Sequence, residues 1–282
     1  MKTPISRLLA TVIIAFIPFI VCGQAQLIPA SSPKQKIIQD FGLGKITVTY
    51  SRPNVKGRLI FGGINPYGQV WRTGANEATT INFTENVILE GQRVPAGTYS
   101  LFTIPEKDEW TIILNKTVEQ WGAYSYNKDL DFLRVSVKPQ KLKNKTESFT
   151  IVFQNNTTKS ADMVLLWDQI LVPIHFETDD DAKIIANIDS LMNGNRKPYY
   201  FNAIQYYYEN NKDMNKALAW ALEAEKVSPG PWYKLWEARI QLKLGDKKAA
   251  AAAAQDGINV AKTSNDDEYI RLNKVVLEQA SK

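Results

Sequence analysis

The spacing of apolar residues changes near Phe176, and this change separates two kinds of secondary structure. Before it, apolar and polar residues alternate, as at Ile46, Val48 and Tyr50, which is the two-residue period of a β-strand. The same period recurs in the segments 80–89, 98–104, 110–114, 132–137, 148–153 and 163–171, with turn residues between them. Short strands with no helical stretch between them predict an antiparallel β-sandwich or barrel-like domain over residues 26–176.

The remainder of the chain, residues 177–282, has the spacing of helices. An acidic patch at 179–181 favours a helix start, and Ile184, Ile188 and Leu191 follow at intervals of three or four residues. We therefore predict a β + α protein, in which the β-sandwich is followed by an α-helical repeat domain.

The helical part resembles a tetratricopeptide repeat. An offset of 34 residues aligns Ile204 with Ala238 and Asn211 with Gly245. Small side chains at 217, 221 and 224 allow two helices to pack closely, and Pro229 then ends the pair. The second copy is degenerate, and repeat stacks usually need about three units. We therefore expect helices at 181–192 and 268–280 to complete the packing.

Residues 1–25 have the organisation of a secretory signal peptide. Lys2 and Arg7 precede an apolar run at 8–21, which is shorter than the roughly 20 residues of a spanning helix. Cleavage before Gln26 would leave a periplasmic or extracellular chain. The less favoured alternative is lipoprotein processing at Cys22 and an outer-membrane location, because Val21 stands where such signals carry a small residue.

Composition excludes several kinds of site. The chain has one Cys and one His, so it cannot form disulfide frameworks, Cys/His zinc sites or cysteine-held iron–sulfur clusters. Removal of Cys22 with the signal segment would leave no thiol for a Cys–His dyad. We expect no cofactor and no bound metal. The net charge of +5 includes two charges from the signal segment, and neither half carries the dense basic surface of a nucleic-acid-binding protein. The lysines at 138, 141, 143 and 145 predict a solvated hairpin between two strands.

Four strings stand out in the β part, and the one at 71–80 is highly specific. They are WRTGANEATT at 71–80, PAGTYSLF at 95–102, WTIILN at 110–115 and QWG at 120–122. From Ser32 to Ile174 the chain is similar to the bacterial family known as domain of unknown function 2911 (DUF2911). The resemblance implies a secreted β-rich module, common in Bacteroidetes-like bacteria, and it brings no activity, ligand or catalytic residue with it.

A loop-rich stretch between two predicted strands carries the leading candidate ligand site. Guanidinium groups beside hydroxyl and amide groups suit a carboxylate, phosphate or sugar-acid ligand. The residues are Arg52, Arg58, Arg72, Asn76, Glu77 and Thr79. The alternative is structural: Arg72 and Glu77 form an internal ion pair that pins the loop at 57–74, and no ligand is involved.

Aromatic residues supply further candidates. Trp110 and Tyr99 lie in alternating strands and are expected in the core. Trp121, Tyr124 and Tyr126 follow an irregular stretch and are candidates for an exposed ligand-binding patch. In the helices, the aromatic residues exceed the needs of packing. We expect a partner protein or peptide of the cell envelope to contact Tyr207, Trp232 and Trp236.

No catalytic residue is assigned from the sequence. A glycoside hydrolase would need two carboxyl groups, and Glu77 with Asp129 or Asp131 is the available choice. The sequence thus favours an exported, non-catalytic binding or assembly module of the cell envelope. A hydrolase acting on saccharide or peptide through Glu77 is the alternative.

Overall fold

A computed structural model describes residues 28–193 and 199–282. The predicted signal peptide, including Cys22, lies outside the described residues. The last strand ends at Thr178 and the first helix begins at Asp181. The fold is a pair of antiparallel sheets followed by six helices within the described residues, which confirms the predicted fold class.

The β part contains ten strands among the described residues. They are β1 (Lys34–Phe41), β2 (Gly44–Ser51), β3 (Thr79–Phe83), β4 (Val87–Leu89), β5 (Gln92–Val94), β6 (Gly97–Ile104), β7 (Trp110–Asn115), β8 (Asp131–Val137), β9 (Gln140–Gln154) and β10 (Ser160–Thr178). One sheet has the order β1-β2-β3-β6-β7-β8, and the other has the order β5-β4-β10-β9. All pairings are antiparallel, as expected for chain segments joined by short turns.

The two sheets enclose an apolar core that the alternation predicts. Ile46, Val48 and Tyr50 of β2 are buried, and the residues between them are half-buried. Trp71 and Trp167 stack at the centre of an aromatic cluster, with ring centroids 5.6 Å apart and an interplanar angle of 19°. Aromatic pairs of this kind contribute about 0.5–1.5 kcal/mol beyond their buried area. Trp110 and Tyr99 are buried, which confirms their expected place in the core.

The strand boundaries differ from the prediction in two places. The segment 80–89 forms two short strands in different sheets, β3 and β4, because the chain crosses from one sheet to the other at 84–86. The predicted lysine hairpin is wrong for three of its four lysines, since Lys141, Lys143 and Lys145 lie within β9. β9 is an edge strand, where exposed lysines prevent pairing with another chain.

The helices are α1 (Asp181–Asn193), α2 (Tyr200–Glu209), α3 (Met214–Val227), α4 (Pro231–Leu244), α5 (Lys247–Thr263) and α6 (Asp267–Ala280). Their ends have identifiable causes. Asp213 and Asp246 cap α3 and α5 with their side chains, and Pro231 opens α4. Asn211 and Gly245, which the 34-residue offset aligns, both have positive φ, at 50° and 90°.

Ion pairs join the helices to the β part. The Asp181 carboxylate at the start of α1 accepts hydrogen bonds from Lys159 Nζ (2.7 Å), from Tyr206 Oη (2.6 Å) and from Lys212. Lys159 belongs to the β9–β10 turn, whereas Tyr206 and Lys212 belong to α2 and the turn after it. One side chain therefore connects three segments.

Candidate functional site

The loop between β2 and β3 turns sharply just before β3 and is held from inside the protein. Thr73 and Asn76 adopt positive φ, at 53° and 58°. Trp71 Nε1 donates to the Gly74 carbonyl (3.0 Å), and Thr79 Oγ1 donates to the Thr73 carbonyl (2.6 Å). These bonds satisfy the backbone of a turn that is otherwise unfavourable for side-chain-bearing residues.

A second loop, after β7, runs alongside the first. Ala78 N donates to the Gln120 carbonyl and Gly122 N donates to the Asn76 carbonyl, both at 3.0 Å. Glu77 and Trp121 are opposed in this short antiparallel bridge. The two loops thus act as one backbone unit, which brings Trp121 beside residues that lie more than forty positions earlier in the chain.

Two cavities lie next to this unit: Asn76 lines one of them, and its neighbour Glu77 lines the other. The Asn76 Nδ2 atom donates to the Ser32 carbonyl (3.1 Å) and to Ser51 Oγ (3.3 Å), so the amide is fixed between these two groups. We name the cavity that Asn76 lines the Arg72 cavity and the cavity that Glu77 lines the Trp121 cavity. Each has a volume of about 410 Å³.

The Arg72 cavity is lined by donor groups. Its described lining includes Lys56, Arg58, Asn65, Arg72 and Asn76, and no Asp or Glu is among the described lining residues. The Arg72 Nε and Asn65 Nδ2 atoms are buried and have no hydrogen-bond partner in the described part of the chain. In a native protein, buried donors that lack a protein partner usually bind a ligand or an ordered water.

Gly122 explains how Arg72 is positioned. A Cβ built at Gly122 would lie 2.9 Å from Arg72 Nη1 and 2.7 Å from the Tyr124 ring. The guanidinium group therefore lies against the backbone of the second loop, where only glycine leaves enough space. Gly122 also has a φ of 67°, which glycine adopts at little cost.

The Trp121 cavity is different in chemistry. Glu77, Glu119 and the exposed Trp121 line it, together with Thr49 and Thr80 on the outer face of β2 and β3. Two further lining residues are Gln120, whose Oε1 is buried without a partner in the described residues, and Lys34.

Glu77 is charged and paired with a lysine. Its carboxylate accepts a hydrogen bond from Lys34 Nζ at 3.1 Å. The pKa of Glu77 is lowered, first by a hydrogen bond from its own backbone N–H and then by the Lys34 ammonium group. The predicted alternative of an Arg72–Glu77 ion pair is wrong, because the two side chains line different cavities.

The cavities collect most, but not all, of the predicted ligand residues. Arg52 lies outside both, because its Nε donates to the Phe149 carbonyl (3.0 Å) and its Nη2 to Thr150 Oγ1 (2.7 Å), which ties the loop to β9. Thr79 is buried and serves the turn. Tyr124 is 85% exposed and packs over Gly122, so the exposure expected of Trp121 and Tyr124 is confirmed. Tyr126 is instead half-buried, because its ring packs against Phe102 with centroids 5.1 Å apart. The role of Trp121 and Tyr124 in ligand binding stays a prediction.

Sequence reasoning missed several residues of the site, among them Lys34, Asn65, Gln120 and Gly122. Lys34 and Asn65 are distant in sequence from the arginines, and no local pattern marks them. The glycine in the QWG string at 120–122 was the available signal for a close backbone approach.

The helical candidates divide by burial. Tyr207 and Trp236 are buried, with Tyr207 against Trp220 and Trp236 against Tyr208 at centroid distances of 4.7 and 5.4 Å. These two rings form helical core, which corrects the expectation that they face a partner. Trp232 is half-buried, and its contact with a partner stays a prediction.

The described residues offer neither a metal-binding cluster nor a membrane-spanning helix. In the described ranges, no group of three or more His, Cys, Asp or Glu is arranged to hold a metal ion. None of the described helices is both long and apolar enough to cross a membrane.

The fold and site define a class: a β-sandwich domain with two polar cavities, followed by a helical region. The family model described as protein of unknown function (DUF2911) matches residues 32–176, slightly more than half of the chain, and the chain belongs to this family. Comparisons with curated proteins and with solved structures gave no significant match.

Proposed function

We propose that this protein is an exported, non-catalytic binding module of the bacterial cell envelope, and that its β domain binds a small anion in the Arg72 cavity. The observation that carries the proposal is the buried Arg72 Nε without a partner in the described residues. A buried donor left unpaired costs about 1–3 kcal/mol, and more when it is charged. An arriving oxyanion would remove this cost.

The rest of the cavity supports an anion over a neutral ligand. Lys56, Arg58 and Arg72 surround it, and the described lining supplies no carboxylate to neutralise them. Arg58 is itself fixed by donating to the Val55 and Asn54 carbonyls, so its guanidinium group is partly pre-ordered. Planar guanidinium groups bind carboxylate and phosphate oxygens in the same way, and we therefore propose an oxyanion of either kind.

The helical region is proposed as the assembly part of the module. The matching geometry at Asn211 and Gly245 supports a tetratricopeptide-like pair of units, and such arrays commonly receive a peptide or partner segment. Trp232 is the half-buried aromatic residue proposed to contact an envelope partner. The apolar run at 8–21 supports export, with lipidation at Cys22 as the alternative route.

In the hydrolase alternative Glu77 would act with a second carboxylate, and Glu119 is the other acidic residue in the described lining of its cavity. A general acid for glycoside hydrolysis needs a raised pKa, whereas the pKa of Glu77 is lowered. Asp129 and Asp131 do not belong to the described lining of the Trp121 cavity. These features favour binding over bond cleavage.

Titration calorimetry of the mature chain with inorganic phosphate, acetate and glucuronate tests the anion site. We expect Arg72→Gln to weaken binding about ten- to a hundredfold, because a charge-assisted hydrogen bond contributes about 1.5–3 kcal/mol. The control is Arg271→Gln, which removes an exposed arginine on α6 and should leave the affinity unchanged.

Comparison of the three anions identifies the source of the oxyanion. Preference for phosphate assigns a phosphorylated ligand, and preference for acetate and glucuronate assigns a carboxylated one. If no anion binds, or if Arg72→Gln and Arg271→Gln behave alike, the proposed site is wrong.

A further inference from the structure

We infer that the Trp121 cavity is a separate binding site for a neutral saccharide. The inference uses a different cavity from the anion site and different chemistry, so it extends the proposed function without depending on it.

The first observation is the aromatic surface. Trp121 lines the cavity, and 60% of its surface is exposed. A large exposed indole is costly to leave in water, and burying it against an apolar face is favourable. The ring of a sugar presents C–H groups on its flat faces, which match an indole in size and polarity.

The second observation is the unpaired acceptor. Gln120 Oε1 is buried and has no partner in the described part of the chain, because the amide is held by its other atom, Nε2, which donates to the Thr117 carbonyl at 3.0 Å. The carbonyl oxygen therefore needs a donor from the ligand. A sugar hydroxyl supplies one, and an oxyanion does not.

The third observation is the balance of charge and polar groups. Glu77 and Glu119 outnumber Lys34, so the cavity disfavours an anion. Thr49 and Thr80 face each other across β2 and β3, and no hydrogen bond from either hydroxyl is formed with the described residues. Hydroxyl groups both donate and accept, which suits ligand hydroxyls. An aromatic surface beside a few convergent polar groups is the usual form of a small-molecule site.

The geometry also keeps this site rigid. Trp121 is held by the backbone bridge to Glu77, and Thr49 and Thr80 lie on paired strands. Little ordering is then required when a ligand binds, which favours affinity for a small, weakly binding sugar.

Titration calorimetry and tryptophan fluorescence with cellohexaose, xylohexaose, maltohexaose and chitohexaose test the inference on the mature chain. We expect at least one of these neutral oligosaccharides to bind and Trp121→Ala to weaken it at least about tenfold, as for an aromatic residue at the centre of an interface. The control is Tyr67→Ala, which removes another exposed aromatic ring of the same domain outside both cavities.

A second variant covers the possibility that Trp121→Ala disturbs the loop. Thr80→Val keeps the shape of the strand and removes one hydroxyl, and we expect it to weaken the same sugar about two- to tenfold, the loss of one neutral hydrogen bond. Phosphate affinity, measured on the same preparations, should be unchanged in both variants. This comparison separates failure of the saccharide site from failure of the anion site.

Three results would overturn the inference. The first is no binding of any of the four sugars, and the second is equal binding by wild type, Trp121→Ala and Thr80→Val. The third is cleavage of a sugar that Glu77→Gln abolishes, since the cavity would then be a hydrolase site.

Discussion

At the scale of single residues, the site depends on close approach between two loops. The Asn76 amide joins its loop to Ser32 and to Ser51 of β2, and Gly122 lets the Arg72 guanidinium group rest against the backbone. An arginine side chain has high conformational entropy, so a fixed contact of this kind makes anion binding less costly. The position of the charge is therefore set by a residue that has no side chain.

Gly122→Ala tests this dependence. We expect it to cost about the 1–2 kcal/mol of a left-handed alanine and to displace the Tyr124 ring and the Arg72 Nη1 atom, which would lie 2.7 and 2.9 Å from its methyl group. Chemical denaturation measures the loss, and phosphate titration should show weaker binding as Arg72 is displaced. Gly91→Ala is the matched control: its φ is 77° and nothing lies within 4 Å of the added Cβ. Equal phosphate affinity in the two variants would contradict the proposed contact between Gly122 and Arg72.

At the scale of elements, one carboxylate joins the start of α1 to two neighbours. Hydrogen bonds from Lys159, then Lys212, then Tyr206 hold the pKa of Asp181 well below its usual range. A lowered pKa means that folding favours the charged form of the carboxyl group. The resulting stabilisation is fully present above the pKa of the unfolded state and is lost as the pH falls from that value toward the lower pKa of the folded state.

Asp181→Asn tests this connection. At neutral pH we expect a loss of about 1 kcal/mol, limited by solvent because 38% of the side chain is exposed. The difference from wild type should shrink as the pH falls below about 4, where the unfolded carboxylate takes up a proton. Urea unfolding at several pH values measures it. Asp267→Asn is the control, since Asp267 also lies in the first turn of a helix, has no ion-pair partner in the described residues and is exposed. An Asp181 effect that does not vary with pH would contradict the assignment.

At the scale of the whole molecule, the hydrophobic cores are separate. The largest cluster lies entirely within 41–176, and the helices bury two clusters of their own, within 184–240 and 235–277. The contacts that join the two parts at Asp181 are polar. Segments that share an apolar core unfold cooperatively. Because the two parts have separate cores, we expect them to unfold independently.

Calorimetry of the intact chain should then show two unfolding transitions. We expect saturating phosphate to raise only the transition of the β part, because a ligand that binds the folded form stabilises it by about 2.7 kcal/mol at a hundredfold excess over Kd. Arg72→Gln should remove this shift and leave the helical transition in place. A single transition, or a shift of both by phosphate, would show that the two parts are coupled.

Two periodicities in the order of the amino acids are enough to predict the sandwich, the helices and their order. The burial of residues such as Ile46 and Val48 can be predicted from their sequence neighbours, because side chains in a strand alternate between its two faces. The alternation does not predict β1, because this strand lies at a sheet edge and its residues are mostly polar.

Which candidates share a site depends on how distant segments of the chain pack together. Arg72 and Glu77 are five positions apart, yet the positive φ of Thr73 and Asn76 sends them into different cavities. Lys34 and Trp121 meet Glu77 through pairing across long stretches of chain. Local patterns reflect local backbone preferences, whereas a binding site is formed by contacts between distant segments, and these depend on the packing of the whole fold.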